Sequence, residues 1–373
     1  MKKITTMLGS VLLVSMLAAC GNESPDNGEN TTGPIHVDQP TNSGKGNMER
    51  GFEVLTEGLK SPWAIDFSGD LIYISERDGA IVRMKDGRLT RQKLQLSSPV
   101  KQEGEGGLLG FVLTADFSTT KEAYIYYTYE KGDELFNRVA IIAENGDASG
   151  WEEKRILLDG IPGASNHDGG RLAIGPDQCL YITTGDAQHE DHAQDLDSLA
   201  GKILRMAADG SVPEDNPFDG SYVYSYGHRN PQGLAWNNKG ELFSSEHGPS
   251  SVPGGHDELN KIEPGLNYGW PEVIGDERKE GMTPPVYHTG DDTLAPSGMT
   301  ANDRGEWLVT GLRGESLVKF APDGSTHEVL ITSEGRLRDV KIHNDAVYVI
   351  TNNTDGRGDP GKGDDRLIRL TGH

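Results

Sequence analysis

Only two cysteines, Cys20 and Cys179, occur in 373 residues, and neither sits in a Cys/His spacing that could hold zinc. Aromatic residues make up 7% while glycine reaches 49, a balance that suits many tight turns better than long helices. Cationic residues are scarce, 35 Lys and Arg against 58 Asp and Glu, for a formal net charge of −23. Nothing basic and contiguous could track phosphates, which excludes nucleic acid as a partner. No Gly-rich loop opens a helix after a strand, so a nicotinamide or flavin Rossmann site is unsupported. A Gly-x-Ser-x-Gly nucleophile elbow is also missing. Beyond the first twenty residues no run is long and apolar enough to span a bilayer.

What is present begins with a targeting segment. Lys2 and Lys3 form a charged n-region and Met7 to Leu17 a short apolar h-region. The segment ends Leu17-Ala18-Ala19-Cys20-Gly21, which resembles a bacterial lipobox and implies cleavage before Cys20 and lipidation of its thiol. An ordinary secretory signal with an incidental cysteine is the alternative. Residues 1–19 are thus expected to be a signal peptide. Residues 20–48, rich in Asn, Gly, Pro, Thr and Asp, read as a disordered tether. A lipidated Cys20 would hold residues 49–373 at the outer face of a bacterial membrane. Cys179 is then the only thiol left, and its context Gln178-Cys179-Leu180-Tyr181 predicts a core position.

From about residue 50 a weak repeat of roughly forty to sixty residues runs to the end. Each copy has an apolar strand, a turn at a Gly- or Asp-containing step, and a second strand ending in a polar loop. The copies open at Pro62, Gly107, Gly170, Gln232, Ser297 and Arg338. Six repeats of short strands without helical periodicity predict an all-β fold, a six-bladed β-propeller of four-stranded antiparallel blades. A pair of β-sandwiches is the competing architecture. In a propeller, corresponding loops meet around one axis, so residues far apart in sequence can form one pocket.

Three blocks carry candidate chemistry. His167 lies in Asn166-His167-Asp168-Gly169-Gly170-Arg171-Leu172, a loop whose glycines permit close ligand approach. Imidazole titrates near neutrality and can take a proton from a hydroxyl, although a solvent-exposed loop histidine would look the same. Gly227-His228-Arg229-Asn230-Pro231-Gln232-Gly233 supplies a guanidinium suited to carboxylates or a developing oxyanion. Arg336 and Arg338 alternate along an extended segment and so share a face, which suits an anionic ligand or a solvated charged face. His189 and His192, in the acidic loop Gln188-His189-Glu190-Asp191-His192, read as a solvated rim.

The histidine block, the Gly-His-Arg-Asn-Pro-Gln-Gly block and Asn267-Tyr268-Gly269-Trp270-Pro271 resemble the soluble quinoprotein glucose/sorbosone dehydrogenase family, across nearly all of residues 50–370. The resemblance implies oxidation of aldose sugars to lactones with pyrroloquinoline quinone (PQQ) and Ca2+, electrons passing to an external acceptor. It makes His167 the general base and puts Arg229 and Asn230 beside the quinone oxygen. Arg313, Arg336 and Arg338 become the clamp for the cofactor's carboxylates, with Arg313 standing where glucose-oxidising relatives tend to carry lysine. Glu105 stands where they commonly have glutamine. A carboxylate beside a trianionic cofactor is repulsive unless it is protonated or faces arginine or calcium. Asn166 replaces the aspartate that some relatives have before the histidine. Backbone carbonyls of Gly248 and Pro249 are the implied calcium ligands at the cofactor. The Glu258 side chain and Tyr268 carbonyl are the implied ligands of a structural calcium. A calcium-dependent propeller lactonase and a non-catalytic glycan-binding lipoprotein remain as alternatives, and a monomer and a homodimer are equally open.

Overall fold

The computed structural model describes residues 51–250 and 254–370. The expectations for the signal peptide, the lipidated Cys20 and the tether lie outside the described residues. Regular structure is almost entirely strand, interrupted by one helical turn at Phe117–Thr120 and a 3-10 turn at Glu190–Ala193. The expected all-β fold of four-stranded antiparallel sheets is what the chain forms.

Four sheets have four strands each. One comprises Leu172–Ile174, Leu180–Thr184, Lys202–Met206 and Val223–Tyr226, and the next runs from Pro231–Trp236 to Tyr287–His288. A third runs from Pro296–Ala301 to His327–Ile331. In the fourth, the N-terminal strand Phe52–Thr56 pairs with the C-terminal strand Leu367–Leu370, Phe52 opposite Leu370. The two ends of the folded unit are thereby joined by main-chain hydrogen bonds. The fifth sheet has eight strands. It consists of two antiparallel four-strand runs, Pro62–Gln95 and Leu108–Pro162, joined where Lys93–Gln95 lies parallel to Gly150–Glu152.

Strand alternation decides how these sheets pack. Successive side chains point to opposite faces, so Trp307 and Val309 enter one apolar cluster with Phe243 and Leu259, while Leu308 enters another with Val340 and Val349. In the same way Ala173 and Tyr181 pack with Leu234 and Leu242. Ile350 and Tyr348, from the sheet that holds both terminal strands, pack with Ile65 and Ile74 from the eight-stranded sheet. Each sheet is therefore buried on both faces, which a pair of separate sandwiches would not achieve. Burying one large apolar side chain stabilises by about 1.5–3 kcal/mol, whereas an exposed ion pair contributes about 0–1 kcal/mol. The apolar layers between sheets hold the fold.

The turns obey local chemistry. In the hairpin Gly175-Pro176-Asp177-Gln178, the Gln178 N–H donates to the Gly175 carbonyl at 2.9 Å, and the Asp177 carboxylate accepts from the Cys179 N–H at 3.1 Å. Cys179 closes this turn and is half-buried at a cluster edge. That corrects the core position expected for it: the Asp177 contact holds it in the turn, one residue before the buried strand begins.

Candidate active site

His167 occupies the loop between strands Gly150–Pro162 and Leu172–Ile174 with φ of 63°, followed by left-handed Gly169 and Gly170. Its backbone N–H donates to Glu105 Oε2 at 3.0 Å. Its Nδ1 lies 2.7 Å from Oδ1 of Asp186, a fully buried carboxylate at the end of the Leu180–Thr184 strand. Asp186 is itself fixed: the Gln188 N–H donates to Oδ1 at 2.8 Å and the Trp270 indole N–H to Oδ2 at 2.9 Å. A carboxylate can only accept, so in the neutral ring the proton sits on Nδ1 and the lone pair on Nε2. That is the form a general base needs.

Gly185 permits this approach. A Cβ there would stand 1.9 Å from the His167 carbonyl oxygen, against backbone that cannot move aside. Gly185→Ala is expected to displace the His167 loop and lower stability by about 1–3 kcal/mol. Thermal unfolding checks this; an unchanged Tm would show that the loop yields freely.

Arg229 and Asn230 enter from the loop before strand Pro231–Trp236. Buried Glu246 accepts the Arg229 N–H and lies 2.8 Å from Nδ1 of fully buried His228, whose Nε2 lies 2.9 Å from Ser225 Oγ. This network fixes the Arg229 backbone and leaves its guanidinium free of any carboxylate among the described residues. Only long contacts remain, 3.4 Å to the His247 carbonyl and to Ser250 Oγ, with the Trp270 ring 5.4 Å away. Burial lowers the Arg229 pKa, against the pull of Asp186 and Glu105. Asn230 is fully buried; its Oδ1 accepts the Gly169 N–H at 3.0 Å and its amide donates to Glu105 Oε2 at 3.4 Å.

The sheet that holds both terminal strands supplies two more cations, at the start of its strand Leu337–His343. Arg336 donates to Asp355 Oδ2 at 2.8 Å, and Arg338, 3.7 Å from the same oxygen, donates to Gln232 Oε1 at 2.8 Å. Two buried guanidinium groups thus share one carboxylate, and the Nε of each is buried without a partner. Burial pushes Arg338 down to about 9, with Arg336 and Arg77 acting the same way and Asp355 opposing. Arg77, also buried, bonds to the carbonyls of Gly104 and Gly106 and has no ion pair among the described residues. In a chain with a net charge of −23, this gathering of buried guanidinium groups is of the kind that suits an anionic ligand.

Glu105 stands in its middle, ionised, facing Arg357. Burial raises its pKa, but His247, Arg357 and the His167 N–H outweigh that and bring it to about 2. His247 is itself pushed down to about 3 by burial. Above that pH His247 is neutral, and Arg357 is the cation that keeps Glu105 charged. The repulsion expected at Glu105 is therefore met by an arginine. A cleft of about 530 Å³ opens beside it, lined by Glu105, His247, Pro249, Arg313, Arg336 and Arg357. Arg313 is exposed there, with no side-chain partner among the described residues.

The implied calcium ligands gather next to this cleft. Gly248, Pro249, Glu258 and Tyr268 line one small pocket together with Arg229 and Trp270. Two segments expected to serve separate ions thus share a wall. Burial and nearby Glu246 push the Glu258 carboxyl up, and the Asn260 amide donates to its Oε2 at 3.0 Å. The Asn260 Oδ1 is buried without a partner. Buried oxygens short of donors are the ligand type calcium takes. Among the described residues no group of three or more His, Cys, Asp or Glu side chains is placed to hold a metal ion by itself.

Arg338 lines a small inner cavity with Glu105, Arg229 lines the pocket of Gly248 and Pro249, and His167 and Asn230 bond to Glu105, which with Arg313 and Arg336 walls the cleft. His189 and His192 stay outside it, on the 3-10 turn that Lys202 ties down through the His192 carbonyl at 2.6 Å. Asp186, Trp270, Arg77, Asp355 and Arg357 were not anticipated. For Asp186 a signal existed, since Gly185-Asp186 directly follows the second strand after the histidine block.

Residues 59–369 match the family model described as Glucose / Sorbosone dehydrogenase. The chain is 32% identical over 344 residues to aldose sugar dehydrogenase YliI of Escherichia coli (strain K12), covering 82% of this chain and 90% of that protein. It is 37% identical over 255 residues to quinoprotein glucose dehydrogenase B of Acinetobacter calcoaceticus, covering 60% of this chain and about half (52%) of that relative's length. Its fold is similar to that of the PQQ-bound form of aldose sugar dehydrogenase from Streptomyces coelicolor, with a TM-score of 0.79 and 38% identity over 86% of this chain and 97% of that one. With its matched span running from the first sheet to the last, the chain belongs to the glucose/sorbosone dehydrogenase family.

Proposed function

We propose that this chain is a PQQ- and calcium-dependent dehydrogenase that oxidises aldoses at the anomeric carbon to lactones. The observation that carries this reading is the tautomer-fixed His167, bonded through its N–H to a Glu105 that lines a guanidinium-rich cleft with Arg313, Arg336 and Arg357. PQQ bears three carboxylates, and the partnerless Nε atoms of Arg336 and Arg338, with exposed Arg313, match that demand. Bound there, PQQ supplies a two-electron acceptor for the hydride of the anomeric carbon.

The chain's own residues do the rest. His167 Nε2 removes the anomeric hydroxyl proton, and Asp186 stabilises the imidazolium that forms. Arg229, cationic and without a carboxylate partner, stabilises negative charge developing on oxygen. Asn230 holds Glu105 and Gly169 in register with the base. The carbonyls of Gly248 and Pro249 hold calcium at the cofactor, where it supplies Lewis acidity. Glu258 and Tyr268 provide for a second ion. The six antiparallel four-strand runs form the blades of a six-bladed β-propeller, with the terminal strands closing the ring. Cys20 carries the lipid that tethers this unit outside the cytoplasmic membrane, and a separate electron acceptor reoxidises the cofactor.

Dye reduction by aldoses tests the reading. Apoprotein supplied with PQQ and Ca2+ is expected to turn over, and chelation of calcium should abolish turnover reversibly. No turnover with any aldose, or lactone hydrolysis that needs no PQQ, would contradict it.

A further inference from the structure

Arg357 belongs to none of the expected motifs, yet it spans the site. It lies between strands Ala346–Thr351 and Leu367–Leu370, in a segment that also holds Asp355. One guanidinium nitrogen donates to Glu105 Oε1, and the other to Asn166 Oδ1 at 2.6 Å. Those two residues come from different loops, before strand Leu108–Leu113 and before strand Leu172–Ile174. The contact is therefore a strap from the sheet that holds both terminal strands to two others.

Its partners matter more than its length. The other Glu105 oxygen accepts the His167 N–H, and Asn166 is the residue before His167. Asp355 Oδ1 accepts the Arg357 N–H at 2.9 Å, while Oδ2 of the same carboxylate holds Arg336. Arg357 and Glu105 also line both the outer cleft and the smaller inner cavity bounded by Trp63, Asp168 and Arg338. We propose that Arg357 is a positioning residue that cancels the Glu105 charge inside an anion-binding cleft and pins the Asn166–His167 turn. Its partners fix a requirement for a fork: lysine keeps the charge but cannot bridge two acceptors in one plane.

The inference rests on the cleft being a PQQ site, and equilibrium titration of the apoprotein with PQQ, followed by absorbance, separates the two. Arg357→Ala is expected to bind PQQ about tenfold more weakly, because Glu105 then faces the incoming trianion uncompensated. Arg357→Lys should recover affinity but not the wild-type kcat. Glu105→Gln combined with Arg357→Ala should restore most of the affinity, since the charge to be cancelled is gone. A purely structural arginine would show no such rescue. Because the Arg357 side chain is 46% exposed, the variants are expected to fold, and thermal unfolding verifies this. If wild type binds PQQ and Arg357→Ala binds it equally well, or the double variant binds as weakly as the single one, the positioning role is overturned. If wild type binds no PQQ, the functional reading falls and this inference with it.

Discussion

Replacing His167 by Asn is expected to lower kcat for aldose oxidation by about 10²- to 10⁴-fold, the range that a positioned general base supplies. Asparagine is the informative substitution because the residue has φ of 63°, a conformation that Asn tolerates better than most side chains. The backbone bond to Glu105 survives, and no arginine of the clamp touches the imidazole. PQQ binding should therefore be retained while proton removal is lost. Stopped-flow reduction of the loaded protein, with a PQQ titration alongside, measures both. A His167→Asn protein that turns over near the wild-type rate would remove the base from the account.

Asp186→Asn is expected to have an effect of similar size, on the order of 10²- to 10⁴-fold in kcat. Asp186 accepts from three directions: His167 Nδ1–H, the Gln188 N–H and the Trp270 indole N–H. An amide has a single oxygen. If it keeps Trp270, its NH2 faces Nδ1, and the imidazole is driven to carry its proton on Nε2, where the base must be empty. The loss should appear equally in kcat and kcat/KM, the pattern of an interaction made only at the transition state. An increase in KM alone would mean that Asp186 merely shapes the pocket. The Trp270 ring lies 5.4 Å from the Arg229 guanidinium while its indole N–H donates to Asp186, and the Asp186 N–H donates to the Arg229 carbonyl at 2.8 Å, so the base and the cation share one support.

The repeat of apolar strands and turns was legible because each sheet uses both faces, leaving a dense apolar pattern every forty to sixty residues. The pairing of Phe52–Thr56 with Leu367–Leu370 was not, because strand partners more than three hundred residues apart leave no local trace. The long strands Glu134–Glu144 and Gly150–Pro162 also escaped notice; the first is a continuous buried run without alternation, and exposed, charged residues interrupt the apolar pattern of the second. At the site, His167, Arg229 and Asn230 stood out through dense motifs. Asp355 and Arg357 lie in the Gly- and Asp-rich stretch Asn352–Asp365, which looks like any polar turn. Their roles come from what lies across the cleft, Arg336 and Arg338 for one and Glu105 and Asn166 for the other. Glu105 shows the same dependence. Alone it reads as a liability in an anion site, and only its partner explains it.

The most direct test is a single turnover without any external acceptor. Anaerobic protein loaded with PQQ and Ca2+ is mixed with excess glucose and the cofactor's absorbance is followed. Wild type is expected to reduce its bound quinone stoichiometrically and release lactone, while His167→Asn, equally loaded, leaves the quinone oxidised over the same interval. Loaded wild-type protein that stays oxidised with every aldose offered, or a His167→Asn trace that superimposes on wild type, would contradict the account.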